Sequence, residues 1–299
     1  MASPTAPTLT LIVTEALKKA YGGTTPSAAL ITRASDEWME EVKNDIWNLA
    51  RKLEMLHTTA VLITTNGRNR YSLPTDFSSD LSATILDGDT TGIAQNGSAS
   101  SLTLAASDTA SERETIGKEF LIIAGTGKGS CSQATAFDTT TKVVNVQPSF
   151  TTTPATGDEY MRVTSYKRLK QYPVNDYDSI TNQTSSGVPL YFFPIGDSDY
   201  KEIILYPVPY RDSEKPWGLK LRYYANLMTL DLSSTLMATL YRRWRNVFEE
   251  GVFAKALRDL DDNRQMAALK IYENSLKTLI FKETYGSDLS NLRMTASKK

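Results

Sequence analysis

The sequence holds one cysteine, Cys131, and one histidine, His57, among 299 residues. One thiol forms no disulfide within a chain, and one thiol with one imidazole makes no Cys/His zinc site. Charge of either sign is not in excess: 33 Lys and Arg face 34 Asp and Glu, for a formal net charge of -1. A protein whose main task is gripping nucleic acid usually carries a strong cationic surplus, so that class is disfavoured. No stretch approaches the roughly 18 uninterrupted apolar residues that a membrane-spanning helix needs. Met1–Pro7 shows no basic start followed by an apolar run, so no secretory leader is expected there. These absences point to a soluble product without a membrane anchor. With 40% hydrophobic and 22% charged residues, the chain is able to build an ordinary core of one large or two medium domains.

The periodicity divides the sequence into three parts. From Thr8 to Tyr21, Leu9, Ile12, Val13, Ala16, Leu17 and Ala20 fall on one helical face, with Thr8 as N-cap and Gly22-Gly23 as stop. A second helix is expected from about Ser35 to Leu56, on Trp38, Val42, Ile46, Leu49, Leu53 and Leu56, with His57 at its end. From Val61 onward β-branched residues and turn signals dominate. Asn66-Gly67 reads as a hairpin turn between 58–65 and 68–73. Short strands are expected at 120–124, 130–136, 142–147 and 160–164, inside an antiparallel β-domain at about 87–165. A further pair is expected at 201–206 and 219–224, flanking a Pro-rich turn.

Helix returns near Ser233 or Ser234. Leu236, Leu240, Trp244, Val247, Phe248, Gly251, Ala254 and Leu257 form one stripe. After a break at 259–263, capped by Asp261 or Asp262, a last helix is expected to bury Met266, Leu269, Tyr272, Leu276, Leu279 and Ile280. The fold class is therefore α+β: N- and C-terminal helices packed as a bundle, with an inserted antiparallel β-domain. The expected divisions are 1–60, 61–230, 231–282 and a polar tail at 283–299.

Four segments together resemble the tailed-phage head-to-tail adaptor (connector) family, the podovirus-like ring that completes the head. They are the opening helices around Gly22-Gly23; Tyr71-Ser72-Leu73-Pro74-Thr75-Asp76-Phe77; the β block from Ile116 to Val163; and Ile204–Pro209 with Leu221–Tyr224 and the closing helix pair. The β block carries Gly125-Thr126-Gly127-Lys128-Gly129, Gln133, Asp138, Val143–Val146, Thr153-Pro154 and Tyr160. The resemblance spans most of Thr8–Phe281 and carries no catalytic signature, metal or cofactor.

It implies a non-enzymatic virion protein at the neck between head and tail, assembled in the host cytoplasm. The form implied is a homo-oligomeric ring, usually of about twelve copies, closed head-to-tail. Its partners would be the portal protein above and a tail nozzle or tail-tube protein below, with genomic DNA passing through the lumen without specific binding. Tails of relatives dock on the portal, which here selects Tyr285, Leu289 and Leu292 as candidate anchors.

Other signals have plainer roles. Gly125–Ser130 has the glycines and lysine of a phosphate loop, but Lys128 is followed by Gly129 where Ser or Thr and a helix are required, so a hairpin turn is the reading. His57 lacks an identifiable nucleophile partner, and Cys131 in a strand reads as a packed small side chain. Asp36, Glu37, Glu40 and Glu41, Glu249-Glu250 and 259–262 supply carboxylates that a peptidoglycan-cleaving tail component needs, yet helix dipoles and caps explain them as well. Arg242, Arg243 and Arg245, interleaved with Tyr241 and Trp244, read as a subunit interface before a nucleic-acid contact. The 15 tyrosines fit extensive protein contacts. A different neck or tail-tube protein with the same β block is the remaining structural alternative.

Overall fold

The computed structural model describes residues 8–49, 56–88, 90–180, 182–196, 201–211, 215–232 and 235–285. Two compact units emerge. One comprises Met1–His57, Thr75–Ser79 and Tyr224–Lys299; the other comprises Thr58–Pro74 and Asp80–Tyr223.

The first unit opens with α1 (Leu9–Ala20), where Thr8 Oγ1 accepts from the Leu11 N–H at 3.3 Å. The five positions Ile12, Val13, Ala16, Leu17 and Ala20 are buried. The second helical stretch starts earlier than the apolar spacing suggests. Ser27 Oγ accepts from the Leu30 N–H at 3.3 Å and caps α2 (Ala28–Arg33). A π-helical turn over Ala34–Trp38 leads into α3 (Met39–Leu49). A π turn inserts one residue and shifts the helical phase, so the stripe before Trp38 is out of step with the stripe after it. Trp38, Val42 and Ile46 are buried as expected, whereas Leu49 is 57% exposed and Leu53 lies outside the described residues. His57 opens a strand; it does not close a helix.

The strands of the second unit begin with β1 (His57–Ile63), β2 (Arg70–Ser72), β3 (Phe77–Asp87), β4 (Thr90–Ile93), β5 (Asn96–Ser98) and β6 (Ser101–Thr103). After the one-turn α4 (Glu112–Thr115) come β7 (Glu119–Ala124), β8 (Cys131–Asp138), β9 (Val143–Gln147), β10 (Glu159–Arg162) and β11 (Ser165–Arg168). The series ends with β12 (Lys170–Gln171), the short α5 (Val174–Asp178), β13 (Ser186–Gly187), β14 (Tyr191–Gly196), β15 (Lys201–Tyr206), β16 (Val208–Pro209) and β17 (Gly218–Ala225).

Seven of these strands form one antiparallel sheet in the order β4-β10-β7-β8-β9-β6-β5. The sheet is rolled: the Ala94 N–H donates to Asp158 O at 2.8 Å, while the next residue, Gln95, donates to Thr103 O at 2.9 Å. Consecutive residues thus extend the pairings at the two opposite ends of the strand order. Ala94, Leu102, Leu104, Phe120, Ile122, Ala134, Phe137, Val144, Val146, Phe150 and Tyr160 fill the interior. Phe120 and Ile122 point into the roll, and their neighbours Leu121 and Ile123 join Leu86, Met161 and Val163 in a separate core outside it. Burial on both faces explains why β7 reads as an unbroken apolar run.

Two expected pairings are corrected. Asn66-Gly67 does make a turn, with Gly67 at φ +76° and the Arg68 N–H bonded to Thr65 O. However, β1 belongs to the sheet β1-β17-β3-β11 and β2 to the sheet β12-β14-β15-β2, so no hairpin forms. The turn is instead held by Pro209 and Arg211: Pro209 O accepts from the Gly67 N–H at 2.8 Å, and Arg211 O accepts from Asn66 Nδ2 at 2.8 Å. Likewise β15 and β17 occupy different sheets. The alternation in β17 is as expected, with Leu219, Leu221, Tyr223 and Ala225 buried.

The chain then returns to the helical unit through α6 (Thr235–Asp259), which bends at Trp244 (φ -123°, ψ 31°), and α7 (Gln265–Tyr285). Asp262 links them; its Oδ1 accepts from the Arg264 N–H at 2.8 Å. Leu240, Val247, Phe248, Ala254 and Leu257 of α6 are buried, as are Tyr272, Leu276 and Leu279 of α7. Met266 and Leu269 are exposed, at 74% and 38%; Ala268 takes the buried place in that turn. All of these buried side chains share one hydrophobic core with α1 and α3.

Candidate interaction sites

Apolar burial brings the N- and C-terminal helices together, and ion pairs fix their register. Arg245 of α6 bonds Glu249 one turn along and Glu15 of α1, and Glu249 also takes Lys19 Nζ at 3.2 Å. Arg33 meets Asp259 at 2.7 Å. Glu41 receives both Arg258 terminal nitrogens, at 3.0 and 3.1 Å, and Lys255 adds Asp45 at 2.9 Å. The bonds from Arg258 hold the Glu41 carboxyl below its ordinary range.

These pairings decide what the acids of the second helix do. A glycosidase acid must be kept protonated near neutrality, and Glu41 is pushed the opposite way. Glu37 meets Arg33 at 2.9 Å and Glu40 meets Lys43 at 2.7 Å. Glu250 accepts from Ser275 Oγ, and Asp262, bonded by Arg264, falls to about 2. Asp36 is exposed.

The Gly125–Ser130 segment is the β7–β8 connection, with Gly125 at φ +97° and Gly129 at φ +88°. Its amides face an anion, but that anion is internal. Asp158 Oδ1 accepts from the Thr126 N–H at 2.9 Å, and Oδ2 accepts from Gly127 at 2.8 Å and Ala155 at 3.0 Å. A Cβ on Gly125 would lie 2.0 Å from Asp158 Oδ1. The glycines therefore admit a buried carboxylate, and the amides that would cradle a phosphate are already engaged. Burial alone would raise the Asp158 pKa; the three N–H donors outweigh it and leave it lowered.

Cys131 is half-buried, and burial with the nearby Glu119 charge pushes its thiol up to about 12. A thiol so held is no nucleophile at neutral pH. His57 is exposed and meets the Tyr224 ring edge-on at 5.6 Å, without a hydroxyl or thiol bonded to it among the described residues.

The three arginines singled out from the sequence come together at the α6 bend, where they take separate roles. Arg245 is engaged by Glu15 and Glu249 of its own chain. Arg243 and Lys282 of α7 both stand over the Trp244 ring, each 5.8 Å from its centre. Arg242 is exposed. With Ser275 and Thr278 they line a cavity of about 340 Å³. Its chemistry suits an anionic group, since guanidinium and ammonium donors surround it on a water-exposed rim. Of the tail anchors, Tyr285 ends α7, while Leu289 and Leu292 lie outside the described residues.

Among the described residues no helix is long and apolar enough to cross a membrane, and no group of three or more His, Cys, Asp or Glu is placed to hold a metal ion. No curated protein matches the chain. The family model described as SU10 adaptor protein matches residues 130–295, more than half the sequence, from the end of the glycine turn through both C-terminal helices. The chain belongs to the SU10 adaptor protein family, a family of tailed-phage adaptors, and is a structural component of the virion's tail or neck.

Proposed function

We propose that the protein is a head-to-tail adaptor that forms a closed ring beneath the portal and links the capsid vertex to the tail around the DNA channel. The observation that carries this reading is the family match over 130–295. The helices joined in one core support a framework of residues 1–60 and 231–282, with 61–230 as a β-rich insertion and 283–299 as a portal-docking tail. In this reading Tyr285, Leu289 and Leu292 anchor that tail. Arg242 and Arg243 meet acids of the next subunit, and Arg245 steadies the helix that presents them. Copies close head-to-tail, about twelve to a ring, because a heterologous contact that closes ends growth.

A net charge of -1 fits a lumen that lets DNA pass, since a strongly basic wall would hold phosphates by counterion release. The mechanism is geometric, with one face matching the portal and the other a tail nozzle or tube. Assembly follows synthesis in the host cytoplasm, and no catalytic step enters. Capture by immobilised portal tests it. The full chain is expected to bind, and a chain ending at Lys282 is expected to lose most of that binding. Undiminished capture of the shortened chain would remove tail docking, and failure of the full chain to bind would remove the portal as partner.

A further inference from the structure

One face of the sheet β12-β14-β15-β2 carries aromatic rings that enclose a space. In β14, Tyr191, Phe193 and Ile195 alternate onto one side, and the register places Tyr191 opposite Tyr206 of β15. Those two rings stack at 6.5 Å with 20° between planes. Tyr172, just past β12, meets Tyr191 edge-on at 5.4 Å and Phe193 at 6.3 Å. It is held in place by its N–H, which donates to Phe192 O at 3.0 Å. The short α5 lies over the same face: Tyr177 packs edge-on against Phe193 at 5.2 Å and places Asp176 and the following Ile180 at the mouth. The result is a cavity of about 240 Å³ walled by Tyr172, Ile180, Tyr191, Phe193 and Tyr206, with Asp176 as its one charged group among the described residues.

Tyrosine and phenylalanine rings carry negative charge density on their faces and attract cations. Here Tyr172 stands at 72° to Tyr191, while Tyr191 and Tyr206 lie within 20° of parallel, so the wall offers rings in two orientations. Asp176 adds a full negative charge at the rim; it is exposed, and its carboxylate has no hydrogen bond or ion pair among the described residues. Among the described residues no basic side chain lines the space. A saccharide would use the same rings, the tyrosine hydroxyls and Asp176, and is told from a cation by the titrations below; a purely apolar plug would leave Asp176 unanswered.

We propose that this aromatic cage receives a lysine or arginine side chain from a neighbouring polypeptide, its charge set against Asp176 and its stem against the tyrosine rings. The occupant's origin rests on the chain being an assembly part, but the cage chemistry is independent of rings and portals. Short glycine–serine peptides bearing one central arginine, lysine or glutamine, titrated into the full chain by calorimetry, read it directly. The arginine and lysine peptides and tetramethylammonium chloride are expected to bind saturably, and the glutamine peptide is not. Asp176→Asn and Tyr172→Leu, both at exposed positions, are each expected to weaken binding about fivefold or more with the circular dichroism unchanged. Equal binding of the glutamine peptide would overturn the proposal. So would preferential binding of N-acetylglucosamine oligomers, or the lack of any saturable response to the cations up to about 10 mM. Portal capture can fail while these titrations succeed, which separates the two readings.

Discussion

Asp158 shows how one side chain replaces a ligand. Its carboxylate satisfies two backbone N–H groups of a turn that resembles an anion-binding loop, and a third, that of Ala155, in its own loop. Asp158→Ala would leave those donors buried and unmet at about 1–3 kcal/mol each in the worst case, partly relieved by entering water. We expect a loss of about 3 kcal/mol, read from the urea midpoint. Because the folded pKa is lowered, this stability is fully present above the unfolded value of about 3.9 and is lost as pH falls through the folded value. An acid titration of wild type and Asp158→Asn should therefore diverge above pH ~4 and converge below it. Cys131 gives a second check: with its thiol near 12, iodoacetamide at pH ~8 should modify it only after unfolding. Rapid labelling of the native chain would contradict the burial assigned to it.

Helix and strand patterns were legible wherever one element met one face of a core. Leu9–Ala20, the β17 alternation and the α6 stripe follow directly from periodicity. The start of α2 was not, because the π turn at Ala34–Trp38 breaks the phase that a periodic reading relies on. Nor were β4, β5 and β6, whose Thr, Gly and Ser residues bury only Leu102 and depend on the rolled sheet for their pairing. The turn at Asn66-Gly67 is legible in the sequence and its strand partners are not, since turn chemistry is local while β1 lies beside β17 and β2 pairs with β15, both distant in the chain. The cage around Tyr191 escaped for a related reason: its rings come from segments separated in the chain and carry no spacing signal. Packing between helices gives a prediction here. A Cβ on Gly251 would lie 2.6 Å from Val42 Cγ2 and 2.9 Å from Tyr272 Cε2. Gly251→Leu should therefore cost about 2 kcal/mol or more through overpacking of α3, α6 and α7. Unchanged thermal stability would mean that these helices are not in that contact.

In the proposed ring, the three arginines divide between internal and intersubunit contacts. Arg245→Met removes part-buried pairs with Glu15 and with the buried Glu249, which keeps Lys19, and should lower stability by about 1–3 kcal/mol. The paired charge reversals Arg242→Glu and Arg243→Glu should leave the monomer folded and abolish ring formation on the portal, as seen by native mass measurement. Rings of normal stoichiometry from that variant would place the subunit contact elsewhere. The adaptor reading itself is tested most directly by imaging intact particles at a resolution that traces this chain. It predicts a closed ring between portal and tail, with the helical unit of each copy against its neighbours. Finding the chain at any other radius or height, or as isolated copies on the tail, would contradict it.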